Sequence, residues 1–352
     1  MADGFKQWVA LQIGTTTMIK ALACLAIGAT ALVAPPLAAE PIKLKLSFFS
    51  SDRSTSYLAA VKPFTDAVNA EVKDLMEIVL FASGTLGKDL TQQPQLVLDG
   101  TADIAYVVTG LTRGRFPDNG IVEMPGLFAN VREATLVFTR LIAANALRGY
   151  EDFFVIGAYV TEPETIHSRP PITNLDDLKG KRIRVNNPGE AAALLKLEAV
   201  PVSMPVNKIA EALSGGDLDA ATVSTSPLSD YGIGRIATYH YLLQTSGAPL
   251  MLLMNRKVFE ELPMRVQDAI RRFSGVWAAE RFIENHDVVE REIMVQLRAD
   301  PQRKVIAPTR SDLDRAQAVF KSVTDEWVAK SPHNRELLDK ATKQLAALRA
   351  MR

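Results

Sequence analysis

The sequence is poor in the residues that build metal and redox sites. Its single cysteine, Cys24, lies near the N-terminus of a chain of 352 residues, so the remainder has no thiol for a disulfide or a thiolate ligand. The four histidines show no zinc-ligand spacing, and we interpret them as structural or exposed residues. We therefore expect neither a metal nor a cofactor. The histidines are His167, His240, His286 and His333.

Enzyme motifs and a charge excess are missing as well. The sequence contains no Gly-x-Ser-x-Gly elbow, no phosphate-binding loop and no dinucleotide-binding glycine fingerprint. Its 40 basic and 40 acidic side chains cancel, which gives no basis for binding nucleic acid or an anionic membrane surface. The pair Asp176 and Asp177 is better explained as charge at a helix start than as an acid–base dyad. We therefore expect no enzyme, with a periplasmic hydrolase as the alternative.

The longest apolar run, residues 21–34, has the length of a signal-peptide core and is shorter than a membrane span. Lys20 precedes it, two prolines end it, and Ala38 and Ala39 offer a small-residue cleavage site. The pattern predicts a signal peptide over residues 1–39 and a periplasmic protein, with an uncleaved anchor as the alternative. Met18 is a second candidate start, and Cys24 lies too early in the run for lipid attachment.

Strand and helix patterns alternate along the rest of the chain. Apolar spacing predicts strands at residues 42–48, 76–81, 104–108, 153–160, 182–185, 219–224 and 249–254. Helical spacing predicts one long helix over residues 263–297 and a helical last third. Strands that alternate with helices are typical of parallel α/β sheets, and this length suits two domains better than one.

The candidate site residues lie at strand ends, where parallel α/β sheets bind ligands. Arg184 ends the strand at residues 182–185, just before a turn, and its guanidinium matches a carboxylate with parallel hydrogen bonds. We therefore expect a protein that holds an organic anion. Hydroxyls and one aromatic ring near other strand ends are candidate lining, with local turn bonds or core packing as the alternative. These residues are Ser50, Ser51, Tyr106, Thr109, Ser224 and Thr225.

The order of several short motifs resembles one protein family, the periplasmic solute-binding subunits of TRAP transporters (the DctP family). The most specific motif is Asp-Leu-Lys-Gly-Lys-Arg-Ile-Arg-Val at residues 177–185. Each motif is weak alone, and their order and spacing carry the resemblance over most of the chain after the signal peptide. The other matching segments are residues 83–87, 97–104, 123–128, 216–219 and 255–263.

This resemblance implies a two-lobed α/β periplasmic binding protein, type II-like, with a long helix that spans both lobes. Lobe I would comprise residues 40–166 and about 247–290. Lobe II would comprise residues 167–246 and about 291–335. Residues 336–352 would form a C-terminal helical tail.

The resemblance also implies a function. A monomer would close on a small organic acid and deliver it to the membrane subunits of a TRAP permease. The family's carboxylate-binding arginine corresponds to Arg184, and a second basic position most nearly matches Arg169. Val108 or Thr109 stands where some members place an acidic residue for a sugar acid, so the identity of the acid stays open. A sensory module that presents its closed form to a receptor is the alternative.

Overall fold

The computed structural model describes residues 40–351. The predicted signal peptide, residues 1–39, lies outside the described residues, together with Cys24 and Met18. No helix in the described part of the chain combines the length and apolarity that a membrane crossing requires. Residues from 40 onward belong to one compact unit.

Strands predicted from apolar spacing are confirmed within a residue or two at their ends. Apolar spacing does not predict the short strands near residues 166, 201, 240 and 305, because three or four residues carry little periodicity. The strands within the described residues are β1 (Ile42–Ser47), β2 (Met76–Phe81), β3 (Ile104–Val108), β4 (Phe153–Val160), β5 (Thr165–Ser168), β6 (Arg182–Val185), β7 (Val200–Ser203), β8 (Ala220–Val223), β9 (Tyr239–Tyr241), β10 (Pro249–Asn255) and β11 (Lys304–Ile306).

The strands form two separate sheets. The first has the order β2-β1-β3-β10-β4, and β10 runs antiparallel to both of its neighbours. The second has the order β11-β9-β5-β8-β6-β7, in which β6, β7 and β8 are parallel and β5 is antiparallel to β8. Central strands such as β10 are buried almost throughout, and this explains their continuous apolar sequence.

Helices cover both faces of each sheet, so each sheet has a core on either side. The α-helices of the described residues are α1 (Lys62–Val72), α2 (Gln93–Leu98), α3 (Val131–Ala143), α4 (Pro188–Lys196), α5 (Ile209–Gly215), α6 (Ser226–Asp230), α7 (Arg256–Glu261), α8 (Met264–Arg272), α9 (Val276–Ala299), α10 (Arg310–Ala329) and α11 (Pro332–Arg349).

The helix predicted over residues 263–297 is not continuous, because the structure has two helices there, α8 and α9. The helix is interrupted between α8 and α9. Gly275 there has φ +62°, and its N–H donates to the carbonyl of Ile156. The remaining helix, α9, has 24 residues and is about 36 Å long. Phe282 in its first half stacks on Tyr159 beside the first sheet, and Leu297 near its end lies in a core of the second. The prediction of a helix that spans both lobes is therefore confirmed.

Two polar segments, residues 161–164 and 242–248, also cross between the sheets. They pair with each other through backbone hydrogen bonds, from Thr161 to the carbonyl of Ala248, from Glu164 to Ser246 and from Thr245 to Glu164. Backbone groups of these segments, which belong to neither sheet, thus have hydrogen-bond partners in the opposite segment. The two crossing segments thus form a paired connection between the sheets.

The last helix, α11, is packed onto the rest of the protein through an apolar stripe. Leu337, Ala341 and Leu345 of α11 are buried in a core against the first sheet, whereas Phe320 of α10 belongs to a core of the second. We therefore propose the division into lobes given above, with α11 assigned to lobe I. The physical reason is that its apolar stripe is covered by α3 of that lobe.

We expect Gly149→Ala to lower the free energy of unfolding by about 3 kcal/mol or more. Gly149 has φ +95°, and a Cβ there would lie 1.8 Å from the carbonyl oxygen of Arg115. The matched control is Gly100→Ala, where φ is +77° and no atom lies within 4 Å, so only backbone strain of about 1 kcal/mol is expected. Urea unfolding of both variants tests the difference, and equal losses would contradict it.

Candidate functional site

A cavity of about 70 Å³ lies between the two sheets, at the carboxyl ends of strands from both. Phe49 follows β1, Val108 ends β3, Asn186 follows β6, and Ser224 follows β8. Several water molecules would fill this volume, so it suits a small ligand. Its position agrees with the general rule for ligand sites in α/β sheets. The remaining lining residues are Ser56, Leu90, Tyr106, Leu111, Thr161, Glu164, Arg184, Val206, Val223, Ser226, Pro227, Asp230, Tyr231, Ala248, Leu250 and His286.

Arg184 supplies a positive charge to the cavity wall, and the residue is only 4% exposed. Its Nε donates to the carbonyl of Met204 at 2.9 Å, and its Nη1 donates to the carbonyl of Thr222 at 2.8 Å. Its Nη2 donates to no residue of the described chain. Burial lowers the pKa of Arg184, but a guanidinium pKa is so high that the group stays charged. A fixed positive charge with unused donors therefore lies at the cavity wall.

Glu164 lies beside this arginine at the end of the first crossing segment. Its Oε1 accepts from Nδ2 of Asn186 at 2.6 Å. Its Oε2 lies 3.9 Å from Nη1 of Arg184, too far for a hydrogen bond, and has no hydrogen-bond partner among the described residues. Burial, and then the nearby carboxyl of Glu190, raise the pKa of Glu164 well above its ordinary value.

Glu190 connects the second lobe to the other crossing segment. It lies in the first turn of α4, where Asn187 caps the helix. Its two oxygens accept from the hydroxyls of Thr245 at 2.5 Å and Thr222 at 2.8 Å. Burial raises its pKa, although these hydrogen bonds oppose the shift. Glu190 is thus saturated by protein partners, whereas Glu164 is not.

Glu123 is a third buried carboxyl in this region, close enough to Glu190 for their charges to interact. It pairs with Nη2 of Arg113 at 2.5 Å and is 1% exposed. Burial raises its pKa to about 7, and the carboxyl of Glu190 contributes in the same direction.

Aromatic rings form part of the cavity wall. Tyr106 lies against Phe49, with ring centroids 6.0 Å apart, and Tyr231 comes from the second lobe. Burial lowers the pKa of His286, on α9, to about 4, so its ring is neutral near pH 7. The hydroxyl of Tyr106 and Nδ1 of His286 have no hydrogen-bond partner within the described residues. The cavity thus combines apolar faces with unused polar atoms.

A hydrogen-bonded contact joins the lobes at this cavity. Asp230, which lines it, accepts from the backbone N–H of Thr55 at 2.9 Å and from its hydroxyl at 3.4 Å. Thr55 follows β1 of the first sheet, and Asp230 ends α6 beside the second. The structure therefore shows the lobes in contact.

Three of the residues singled out in the sequence line the cavity, namely Arg184, Tyr106 and Ser224. Ser50 does not line it but interacts with Tyr231, which does. Ser51 is exposed and makes turn contacts with its neighbours.

Two of the candidate threonines have other partners. The hydroxyl of Thr109 donates to the carbonyl of Pro249 at 3.3 Å, and this buried side chain does not line the cavity. Thr225 donates from both its backbone and its hydroxyl to Glu290 of α9. Both residues therefore position strand ends and a helix.

Arg169 is not brought to the cavity. It is exposed, and it follows β5, whose residues Thr165 and Ser168 pair with Val223 and Ala220 of β8. Because β5 is antiparallel to β8, Arg169 lies at the opposite end of the sheet from Val223. Four strand residues separate it from the cavity end, about 13 Å.

Four polar or aromatic residues of the lining, Glu164, Asn186, Tyr231 and His286, were not predicted from the sequence. The polar break at residues 161–165 was a usable signal for Glu164, and the turn after Arg184 for Asn186. Nothing in the sequence separates His286 from a core histidine of the long helix. No cluster of His, Cys, Asp or Glu within residues 40–351 is suited to hold a metal ion.

The comparisons with known proteins agree on one family. The family model DctP, bacterial extracellular solute-binding protein family 7, matches residues 46–331. The protein YiiZ of Salmonella typhimurium is 29% identical over 237 residues, which are 62% of this chain and 71% of that protein. The 2,3-diketo-L-gulonate-binding periplasmic protein YiaO of Escherichia coli is 24% identical over 325 residues, 88% of this chain and 94% of that protein.

A solved structure supports the fold. A marine metagenome TRAP solute-binding protein specific for aromatic acid ligands, in complex with 3-hydroxybenzoate, superposes with a TM-score of 0.79 at 22% identity. The match covers 87% of this chain and 98% of that one. At this identity the similarity shows the two-lobed fold.

We expect Glu123 to make stability depend on pH. Its pKa is about 7 in the folded protein against an ordinary value of 4.5, so the folded state keeps a proton that the unfolded chain has lost. Its contribution to stability is present below pH 4.5 and is lost as pH rises to 7. Relative to wild type, Glu123→Gln should therefore gain up to about 3 kcal/mol across this window. Urea unfolding at several pH values measures the gain, and a pH-independent difference would contradict it.

Proposed function

The chain belongs to the DctP family, the bacterial extracellular solute-binding proteins of family 7, and on that premise we propose that it captures a small organic carboxylate in the cavity between its lobes. The observation that carries the proposal is the buried guanidinium of Arg184, whose Nη2 donates to no described residue while the side chain lines the cavity. A buried charge is costly unless it is paired, so this site favours an anion.

The charges near Arg184 favour an anion, and the size of the cavity favours a small one. Near Arg184 the carboxyls of Glu164 and Glu190 both have raised pKa values, so the positive charge is not fully neutralised by ionised protein groups. The cavity has a volume of about 70 Å³ and has aromatic and aliphatic walls. A carboxylate head on the arginine and a compact apolar body fit both features.

Closure of the lobes accompanies binding in this proposal. The paired crossing segments allow a hinge, and the contact between Asp230 and Thr55 holds the lobes together. A ligand that touches Arg184 in one lobe and Tyr106 in the other would favour the closed arrangement. The closed, loaded protein would then deliver the acid to the membrane subunits of a TRAP permease.

Export completes the proposal. We propose that residues 1–39 direct the chain to the periplasm and that the protein acts there as a monomer. The family consists of solute-binding proteins, and the proposal assigns no catalytic residue.

We expect Arg184→Ala to lower the affinity for the bound acid by a hundredfold or more, on the order of 3 kcal/mol, because it removes a buried charge partner. A thermal-shift screen with an organic-acid panel first identifies a ligand, since binding to the folded state raises Tm. Calorimetric titration of that ligand then measures the loss. Arg184→Lys keeps the charge without the planar fork and should give an intermediate affinity.

Arg169→Ala is the matched control for this experiment. It also removes one arginine from the second sheet, but at the exposed opposite end, so affinity should stay within about twofold of wild type. Near-normal affinity in a folded Arg184→Ala protein would remove Arg184 from the site. Weakened binding in Arg169→Ala alone would place the anion elsewhere.

A further inference from the structure

One buried oxygen in the cavity wall accepts no hydrogen bond within the described part of the protein. Oε2 of Glu164 has no hydrogen-bond partner among the described residues, although the whole residue is 4% exposed and lines the cavity. A buried acceptor without a donor is costly, and few occur in folded proteins. Such an atom at a ligand cavity points to a partner supplied by the ligand.

We propose that Glu164 is a second ligand-contacting residue, and that it makes the site select carboxylates with a hydrogen-bond donor on the carbon next to the carboxylate, as in 2-hydroxy and 2-amino acids. This inference rests on the proposed function, because it takes Arg184 as the anchor of the carboxylate.

The orientation of Glu164 is fixed by the protein. Asn186 donates to Oε1 at 2.6 Å, and the backbone of residue 164 is paired with Ser246 and Thr245 of the other crossing segment. The carboxyl therefore presents Oε2, and not Oε1, to the ligand. A group fixed in this way loses little conformational entropy on binding.

The spacing of Glu164 and Arg184 suits two adjacent groups of one ligand. Oε2 lies 3.9 Å from Nη1 of Arg184, so the two do not bond directly. Nε and Nη1 are occupied by carbonyls of Met204 and Thr222, which leaves Nη2 for the ligand carboxylate. A hydroxyl or ammonium group on the next carbon would then lie within reach of Oε2.

A carboxylate without such a donor would meet an unfavourable neighbour. Such an acid would leave Oε2 without a donor from the ligand. The site would then keep a buried acceptor without a partner, or a carboxyl that takes up the proton its raised pKa favours. Sites built to hydrogen-bond a polar group reject analogues that lack it more strongly than apolar pockets reject a missing methyl group. A donor from the ligand would also stabilise the ionised carboxylate that burial disfavours.

Glu190 does not offer the same contact. Both of its oxygens accept from threonine hydroxyls, Thr222 and Thr245, and it does not line the cavity. Of the buried acids in this region, Glu164 alone among the described residues both lines the cavity and has an oxygen without a hydrogen-bond partner.

The test uses ligands of nearly equal shape. Lactate, alanine and propionate form one series, and mandelate, phenylglycine and phenylacetate form a second, each with a hydroxyl, an ammonium or neither next to the carboxylate. Calorimetric titration at pH 8 measures their affinities for wild type. We expect at least one donor-bearing acid of a series to bind tenfold or more tightly than its donor-free counterpart. The comparison between hydroxyl and ammonium then shows which donor the site takes.

Glu164→Gln is the decisive variant. Because Asn186 donates to the position of Oε1, the amide oxygen should stay there and the NH2 group should replace Oε2. The acceptor thereby becomes a donor. The ratio of the affinity for the donor-bearing acid to that for the donor-free acid should therefore fall to about one or reverse, and the variant should bind the donor-free acid more tightly than wild type does. Glu162→Gln is the matched control in the same crossing segment. Glu162 does not line the cavity, and its carboxylate accepts from the N–H of Val131. The ligand preference of this variant should therefore match that of wild type.

The outcomes separate this inference from the proposed function. Equal binding of donor-bearing and donor-free acids by wild type, or an unchanged preference in Glu164→Gln, would overturn the role of Glu164 and leave Arg184 as the carboxylate anchor. Absence of binding by every acid of both series would overturn both. Circular dichroism and Tm of the two variants verify that they are folded.

Discussion

The arrangement around the cavity depends on a guanidinium that is almost wholly removed from water. Two carbonyls, of Met204 and Thr222, hold the side chain of Arg184 in one orientation, and the neighbouring Glu164 stays beyond hydrogen-bond distance. The positive charge is therefore fixed in place but incompletely compensated. In the proposed function, this uncompensated charge is the group that an organic anion would bind.

Buried acids extend from this charge into the two crossing segments. Glu164 belongs to one crossing segment, and Glu190 hydrogen-bonds to Thr245 of the other while it lies at the start of α4. The groups that set the electrostatics of the cavity are thus the groups that connect the lobes. In the proposed function, a ligand that pairs with Arg184 would therefore act directly on groups that connect the lobes. The contact between Asp230 and Thr55 adds a connection between the lobes that is not covalent.

Particular residues show how far sequence reasoning reaches. Arg184 was identified because a strand pattern ended at it, and the parallel arrangement of β6 and β8 then brings that end to the cavity. Arg169 looked equivalent, but β5 is antiparallel to β8, and this reverses which end of the strand lies at the cavity. Strand direction is a property of pairing and is not encoded in a short segment. In the same way, Gly275 interrupts a helical pattern that is otherwise continuous from residue 263 to residue 297, because its N–H bonds to a distant strand.

The sequence by itself determined the α/β class, the main strands, the family resemblance and Arg184 as the candidate anchor for an anion. These follow from local spacing and from motifs read along one stretch of chain. Only the tertiary structure decided that Glu164, Tyr231 and His286 meet at the same cavity, that Thr109 and Thr225 do not, and that the apolar stripe of α11 is buried against the first sheet. The reason is that a ligand site is made by residues far apart in the chain, and their distances are set by sheet order and lobe packing.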